Sequence, residues 1–380
     1  MTFPVSRRTA LARLSALPAT LASAAAFGQT DKAWVLGQSA ATTGPAAQLG
    51  LQMNSGARLY FDALNAQGGV AGRPIELRLL DDGYEPERCK ANTETFINQG
   101  MFALFGYVGT PTSLAALPLV NAAKIPFFGP VTGAQALRDP FSRSVFHVRA
   151  SYYDETALIV RQLTELGRKK IAVFRQDDSY GQAGLDGVQR ALAAQGLEPV
   201  AVGLVKRNSV DVAGAVQAIL AKQPDAVVLI SAYKSCAAFI RAARQAHYGG
   251  SFYNVSFVGA QALADELGKD GQGVVISQVM PHPFSTSHGL SRDYLQALRA
   301  AGGSARANYT SMEGYVAARV FAEGLRRAGH NPTRDSLVTG LESLQRFDLG
   351  GFLINLSPRD HVASQFVELT MLTEDGRVRR

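Results

Sequence analysis

Apolar residues in this chain follow two spacings, one typical of buried strands and one typical of amphipathic helices. Ile75, Leu77 and Leu79 alternate as in a strand that ends at Asp81-Asp82. The residues before them repeat at i, i+3, i+4 and i+7, the spacing of one helical face. Short, nearly all-apolar strands separated by helices predict a parallel sheet that helices cover on both faces. Further runs of this kind, bounded by Gly, Pro or Asp, lie at 102–105, 125–128 and 145–148.

The same alternation restarts after Arg149 and predicts a second sheet. Its apolar runs lie at 171–174, 200–205, 226–230, 255–258 and 274–276. Two doubly wound sheets, each built from more than 100 residues, predict an α/β protein with two Rossmann-like lobes. The pattern then becomes helical from Ser291 to Leu344 and ends in two alternating runs. This return to helix and then to strand indicates that the chain crosses between the lobes more than once.

The first residues have the features of an export signal. Arg7-Arg8 opens the segment, an alanine-rich run from Leu14 to Phe27 follows, and Ala24-x-Ala26 offers the small residues that a signal peptidase needs. The run is short and weakly apolar for a membrane-spanning helix. We therefore expect residues 1–28 to be a signal peptide, of the Tat or the Sec type, and the mature protein to be periplasmic.

Charge and cysteine content exclude some classes of partner. A cut after Ala26 removes three arginines and no acid, so the formal charge falls from +7 to +4. This charge is too small and too dispersed for nucleic acid. Cys89 and Cys236 fall in different predicted lobes, where a disulfide would fix a hinge that has to move. We expect two free thiols.

The usual signatures of enzyme sites are missing from the sequence. It has no G-x-G-x-x-G turn of the right spacing, no P-loop, no H-E-x-x-H and no G-x-S-x-G. Of the six histidines only His282 and His288 are close in sequence, which does not supply the three or four ligands of a metal site. We expect no catalytic residue, no metal and no cofactor.

Recognition residues are expected beyond the carboxyl ends of the strands, where ligands bind in doubly wound sheets. In the first lobe these ends present glycines and hydroxyls, which suit a carboxylate or another compact acceptor at a helix start. In the second lobe they present tyrosines and an amide. For each polar residue, helix capping is the alternative role, and for each tyrosine it is ordinary packing. The candidate ligand-binding residues are Ser39, Leu49, Tyr107, Gly109, Thr110, Val131, Thr132, Gly133, Tyr180, Tyr233 and Gln261.

The chain from Trp34 to Arg380 resembles the leucine/isoleucine/valine-type periplasmic binding proteins, which have the type I fold. The resemblance rests on Gly44-Pro45, Asn65 to Ile75, Asp81-Asp82, Gly109-Thr110, Ile125-Pro126, Tyr180-Gly181 and Glu313-Gly314-Tyr315. It implies two lobes joined by a three-strand hinge, a ligand between them, and delivery to an ABC permease in the inner membrane. It also implies a monomer.

By position, Thr110 resembles the residue that holds an amino acid's carboxylate, and Tyr180 and Tyr233 resemble the aromatics that close over the ligand. The chain departs from the family where amino-acid binders have an acidic residue for the ammonium group, because Gln261 stands there. A neutral amide cannot pair with a cation, and an unpaired buried charge is costly. The ligand class stays open between an amino acid, an amide and a carboxylate without an amine.

The predicted layout places the first lobe at 29–148 and 281–345 and the second at 149–280 and 346–380. The crossings are expected near Val148–Ala150, Val279–Pro283 and Gln345–Phe347. Two alternatives to an importer component stay open at this stage: a periplasmic receptor that reports ligand to a signalling system, and an exported α/β enzyme.

Overall fold

The computed structural model describes residues 33–303 and 305–379, together with Met1. Ala33–Arg380 makes up one compact unit. Apart from Met1, the predicted signal peptide at 1–28 lies outside the described residues. In the described part of the chain, no helix is both long and apolar enough to cross a membrane.

The first lobe is built on a five-stranded parallel sheet with the strand order β2-β1-β3-β4-β5. Its elements are β1 (Trp34–Ala40), α1 (Ala47–Asn65), β2 (Ile75–Asp81), α2 (Pro86–Asn98), β3 (Ala103–Phe105), α3 (Thr110–Ala123), β4 (Phe127–Phe128) and β5 (Val145–Phe146). Because β1 lies between β2 and β3, successive strands are added on opposite sides of β1, and the crevice at this switch point opens beyond the carboxyl ends of β1 and β3.

The second lobe repeats this arrangement. Its parallel strands have the order β7-β6-β8-β9-β10. Its elements are α4 (Tyr152–Glu165), β6 (Ile171–Gln176), α5 (Ser179–Ala193), β7 (Val202–Val205), α6 (Ala213–Leu220), β8 (Ala226–Ile230), α7 (Tyr233–Gln245), β9 (Ser251–Asn254), α8 (Ala260–Leu267) and β10 (Val275–Gln278). Two lobes of the same doubly wound order confirm the predicted fold class.

The last quarter of the chain returns to the first lobe and then to the second. Three helices and a small hairpin come first: α9 (Gly289–Ala301), α10 (Tyr309–Arg327), α11 (Arg334–Glu342), β11 (Phe347–Asp348) and β12 (Leu353–Ile354). The final strands β13 (Glu368–Leu372) and β14 (Val378–Arg379) then extend the second sheet, with β13 antiparallel to β10 and β14 antiparallel to β13.

The third crossing lies later than the predicted Gln345–Phe347, which corrects the predicted boundary between the lobes. The backbone N–H of His147, in the first lobe, donates to the carbonyl of His361, and that of Ala363 donates to the carbonyl of His147, each at 2.8 Å. The chain therefore stays on the first lobe to Ala363 and enters the second sheet at Glu368. The alternating pattern alone could not distinguish these lobes, because strand pairing is decided by distant partners.

Helix caps fix the residues that begin the second lobe. Ser151 and Asp154 form a capping box at the start of α4, and the Asp178 carboxylate accepts from the backbone N–H groups of Tyr180 and Gly181 at the start of α5. Each cap satisfies backbone donors that a helix leaves free. Asp178, at the end of β6, therefore serves as a helix cap.

Candidate ligand-binding site between the lobes

Two threonine hydroxyls form the first-lobe side of the site. Thr110 begins α3 just after β3, Thr132 follows β4, and their Oγ1 atoms lie 2.7 Å apart in a hydrogen bond. Both side chains are buried. Gly109 before them has φ +106°, and a Cβ there would lie 2.3 Å from Cε2 of Tyr84. Glycine is therefore required for the chain to pass under the Tyr84 ring and present Thr110.

Aromatic rings from both lobes pack against this pair. The ring of Tyr180, at the start of α5, lies 5.5 Å from that of Tyr152 and 4.7 Å from that of Phe257 between centroids. Tyr84 of the first lobe reaches the same Phe257 at 5.9 Å. All four rings are buried, so the lobes meet here through a single aromatic cluster.

Several polar atoms in this region are buried and have no hydrogen-bond partner in the described structure. They include the Tyr180 phenol oxygen and both amide atoms of Asn254, which ends β9. Burial raises the pKa of Tyr180 well above that of a free phenol, so the group stays a hydrogen-bond donor at neutral pH. Buried polar groups are nearly always paired, so these atoms mark a place where a ligand's polar groups can bind.

Charged side chains lie at the hinge end of the site. Arg149, in the first crossing, is fully buried with its Nη2 3.6 Å from Oε1 of Glu155, on the second lobe. Its Nε lies 3.7 Å from Oε1 of Glu313, on α10 of the first lobe. The same Nη2 donates to the hydroxyl of Ser256. Burial lowers the pKa of Arg149, but the two carboxylates outweigh it and the net shift is upward, so the guanidinium stays charged.

Direct hydrogen bonds join the lobes at a second place. Nε2 of Gln176 donates to the Tyr84 phenol oxygen at 3.2 Å. Nη2 of Arg207 donates to Oε2 of Glu85 at 3.0 Å, and Nδ2 of Asn208 donates to Oε1 of the same carboxylate at 2.8 Å. Tyr84 and Glu85 follow β2, whereas the other three belong to the second lobe. These contacts therefore join the first lobe directly to the second.

Five of the residues predicted from sequence lie in this central region: Gly109, Thr110, Thr132, Gly133 and Tyr180. Gly133 makes the lobes meet, because its carbonyl accepts from the backbone N–H of Tyr152 at 2.8 Å. A Cβ on Gly133 would lie 2.5 Å from that nitrogen. Gly133 is therefore needed for the close approach of α4, which brings the Tyr152 ring into the site.

Leu49 and Tyr233 lie where α1 of the first lobe meets the second lobe. A Cβ on Gly259 would be 2.5 Å from Cδ2 of Leu49, so this side chain packs directly on the Gly259 backbone. Tyr233, at the start of α7, is buried, which raises the pKa of its phenol against the opposing effect of the Gln48 backbone N–H. Both residues therefore contact the opposite lobe in the closed protein.

Four other predicted residues have different surroundings. Tyr107 is packed in the core of the first lobe, where its phenol bonds the Thr93 hydroxyl at 3.1 Å. The Ser39 hydroxyl donates to the Asp82 carboxylate at 2.8 Å, beside β2.

Val131 aligns its neighbours through its backbone, because its carbonyl accepts from the N–H of Gly109 at 3.2 Å. Gln261 donates to Asp265 of its own helix at 2.8 Å and lines a groove of about 1370 Å³ together with His282, Phe284 and Arg306. These four residues thus lie apart from the cluster of Thr110, Thr132 and Tyr180 or contribute to it through backbone alone.

The site also contains residues that the sequence reasoning missed. Tyr84, Tyr152 and Phe257 supply rings, and Arg149, Glu155 and Glu313 supply charges. A signal existed for Tyr84, which follows the carboxyl end of β2 just as the chosen residues follow other strands. Arg149 stands out as a charged residue in an otherwise apolar crossing. Glu313 lies inside a helix and not at a strand end, so it was noted only as part of the family resemblance.

Among the described residues, no group of three or more His, Cys, Asp or Glu side chains could hold a metal ion. Cys89 and Cys236 are buried free thiols, one in each lobe. Burial raises the pKa of both thiols, which disfavours the reactive thiolate.

Two α/β lobes that meet at a buried cluster of rings, hydroxyls and charges have the type I periplasmic binding protein fold. The sequence profile of this group, the periplasmic binding protein family, matches residues 34–377, and the chain belongs to that family. It is a family of substrate-binding proteins, not of enzymes.

Relatives and solved structures agree with this assignment. A Leu/Ile/Val-binding protein, BraC3, from Rhizobium johnstonii is 25% identical over 339 residues, covering 87% of this chain and 89% of the relative. A possible leucine/isoleucine/valine-binding protein from Rhodopirellula baltica has a TM-score of 0.89 with 36% identity, covering 92% of this chain and 96% of that one. A fatty acid ABC transporter substrate-binding protein from Thermomonospora curvata has a TM-score of 0.83 with 22% identity, covering 92% of each chain.

Proposed function

We propose that this protein is the periplasmic solute-binding component of an ABC importer and captures a small ligand by closing its two lobes. The observation that carries the proposal is the buried cluster between the lobes, which contains the hydrogen-bonded hydroxyls of Thr110 and Thr132 and the packed rings of Tyr152 and Tyr180. The unpaired phenol of Tyr180 and the unpaired amide of Asn254 add the hydrogen-bonding capacity that a polar ligand needs. No nucleophile–base pair is needed for this role, and we propose that the protein is not an enzyme.

Closure is driven by a ligand that contacts both lobes at the same time. In the open protein the threonines of the first lobe and the tyrosines of the second are separated by water. A ligand that bridges them stabilises the closed form by its extra contacts there. The hydrogen bonds from Arg207 and Asn208 to Glu85 form only in that closed form, so they add to the stability of the bound state.

The ligand is small and amino acid-like, an amide or a carboxylate. The Thr110 hydroxyl at the start of α3 suits an acceptor group of the ligand, because backbone donors of the first helical turn lie beside it. The Leu/Ile/Val-binding relatives favour an amino acid, whereas the fatty-acid protein with the same fold shows that acids without an amine are also bound in this fold.

The partner is an ABC permease in the inner membrane, which recognises the closed shape. The protein works as a monomer in the periplasm, reached through the signal peptide proposed at residues 1–28. Its buried aromatic cluster is held within one chain, so a complete site requires no second copy.

Native mass spectrometry of freshly purified mature protein tests the proposal. We expect a co-purified small molecule that is lost after unfolding and refolding. Small-angle scattering should then show a larger radius of gyration for the emptied protein and recovery of the compact form when the ligand returns. A protein that holds no small molecule, binds none in a thermal-shift screen of amino acids, amides and acids, and keeps one radius throughout would contradict the proposal.

A further inference from the structure

Arg149 and Glu313 form a charged pair that the predicted mechanism does not use. Arg149 lies in a crossing between the lobes, and Glu313 lies on α10 of the first lobe, with Nε and Oε1 3.7 Å apart. That distance is an ion pair without a hydrogen bond. Both side chains are almost completely removed from solvent, with exposures of 1% and 8%. The pair therefore adds strong local charge with incomplete hydrogen bonding.

The hydrogen bonds around this pair are unevenly distributed. Glu155, the other carboxylate beside Arg149, accepts from the backbone N–H of Ser256 at 2.7 Å and from the hydroxyls of Ser256 and Ser277 at 3.0 and 2.5 Å. In the described structure Glu313 accepts no hydrogen bond, and Nε and Nη1 of Arg149 donate none. The Glu313 carboxylate thus lies beside a guanidinium that has two nitrogens, Nε and Nη1, without a hydrogen bond among the described residues.

The Arg149–Glu313 pair lies in the same region as the hydroxyls of Thr110 and Thr132. The guanidinium of Arg149 acts electrostatically on the phenols of Tyr152 and Tyr180, which contribute to raising its pKa. The backbone N–H of Tyr152 donates to the carbonyl of Gly133, next to Thr132, at 2.8 Å, and the Tyr152 ring lies 5.5 Å from that of Tyr180. The charged pair is therefore continuous with the proposed binding site and lies at its hinge end.

The buried charges of this region balance. Arg138 donates to the carbonyls of Thr132 and Arg149, at 3.3 and 3.1 Å, and so belongs to the same network. With all groups ionised, Arg138 and Arg149 offset Glu155 and Glu313. A ligand that carries a net charge would leave that charge without compensation in a place that excludes water, which is costly.

We propose that the Arg149–Glu313 pair selects ligands of zero net charge that carry both a hydrogen-bond acceptor and a donor. A primary amide or a zwitterion meets this requirement, with its acceptor towards Arg149 and its donor towards Glu313. A simple carboxylate or a simple amine does not. The inference rests on the proposed function and narrows its ligand class by excluding acids that have no amine.

The test uses ligands that share one carbon skeleton and differ in charge: leucine, isocaproamide, isocaproate and leucinamide. A second series has the skeleton of phenylalanine. Titration calorimetry of the wild-type protein should show the zwitterion or the amide binding at least about tenfold more tightly than the matched anion and cation, because a buried net charge is disfavoured. A wild-type protein that prefers the anion overturns the inference.

Glu313→Gln provides a second measurement, because it removes one negative charge and keeps the shape. In this variant the affinity for the anion relative to the amide should rise by about tenfold. Glu342→Gln is the matched control. Glu342 is also buried and ion-paired, to Arg143 and His361, but lies on α11 away from the cleft. The Glu342→Gln substitution should leave the ratio of anion affinity to amide affinity unchanged.

The outcomes separate this inference from the proposed function. Binding without discrimination between charges, or an unchanged ratio in Glu313→Gln, refutes the inference and leaves the binding function standing. If neither ligand series binds, the inference is judged by the net charge of a molecule that co-purifies with the protein. A co-purified molecule with a net charge refutes the inference. Absence of any ligand removes the binding function as well. Should Glu313→Gln fail to fold by circular dichroism, the wild-type comparison still decides.

Discussion

The guanidinium of Arg207 is bonded to carboxylates of both lobes, Glu85 of the first at 3.0 Å and Asp178 of the second at 3.1 Å. Asp178 also caps α5 and so holds Tyr180 in the site. The arginine therefore connects the contact between the lobes to the placement of Tyr180, a proposed ligand-binding residue. Because Glu85 is partly exposed, the bridge is screened by solvent and its strength is moderate.

Arg207→Ala is expected to weaken ligand binding by about two- to tenfold, because the closed form loses its bridge while the open form loses only the bond to Asp178. Calorimetry with the native ligand measures the change, and stopped-flow measurements should assign it to faster release. Arg241→Ala is the control, since Arg241 pairs with Asp270 inside the second lobe. Equal losses in both variants would contradict a role in closure.

Tyr180→Ala is expected to weaken ligand binding by about 1–3 kcal/mol while the fold stays intact. Tyr180→Phe removes only the unpaired hydroxyl and should cost about 1 kcal/mol of binding free energy. Tyr107→Phe is a matched control, because the Tyr107 hydroxyl bonds Thr93 in the core. It should lower thermal stability and leave affinity unchanged. Unchanged affinity in Tyr180→Phe would place the hydroxyl outside the site.

Thr110→Val should reduce affinity by about 1–2 kcal/mol, because it removes a hydroxyl that can donate to the ligand and breaks the bond to Thr132. Thr112→Val, in the same helix, is the control, since that hydroxyl is already used on the Val108 carbonyl at 2.6 Å. Titration calorimetry measures the ligand affinity of both variants, and only Thr110→Val should show a loss. If Thr112→Val has the larger effect on affinity, α3 contributes through its stability and not through a ligand contact.

Asp82 predicts a particular pH dependence of stability. Burial raises its pKa from 3.8 to about 6, although hydrogen bonds from Ser39 and from the Tyr84 backbone oppose the shift. Folding thus favours the protonated carboxyl. Its contribution to stability is complete below pH 3.8 and is lost as the pH rises through about 6.

Thermal unfolding of the wild type and Asp82→Asn, measured between about pH 4 and pH 7, tests this prediction. The wild type should lose stability relative to the variant as the pH rises, and the difference should level off above the pKa of Asp82. Parallel curves for the two proteins would show that Asp82 does not titrate with a raised pKa.

The repeated pattern of strands and helices was enough to predict two doubly wound lobes, because parallel strands buried on both faces must be short and apolar. The rule that ligands bind beyond the carboxyl ends of strands then predicted Thr110, Thr132 and Tyr180, which lie together between the lobes. The same rule also selected Tyr107 and Ser39, whose side chains lie inside the first lobe. Whether a side chain at a strand end turns to the cleft or to the core depends on the helix packed beside it.

By itself, the sequence determined the local elements of this protein, because spacing, glycines and caps act over a few residues. Only the tertiary structure decided which distant groups meet: the segment 361–363 that pairs with His147, the rings of Tyr84 and Phe257, and the charges of Arg149 and Glu313. These contacts join residues far apart in the chain. They arise from the closed packing of two lobes, which no local pattern encodes.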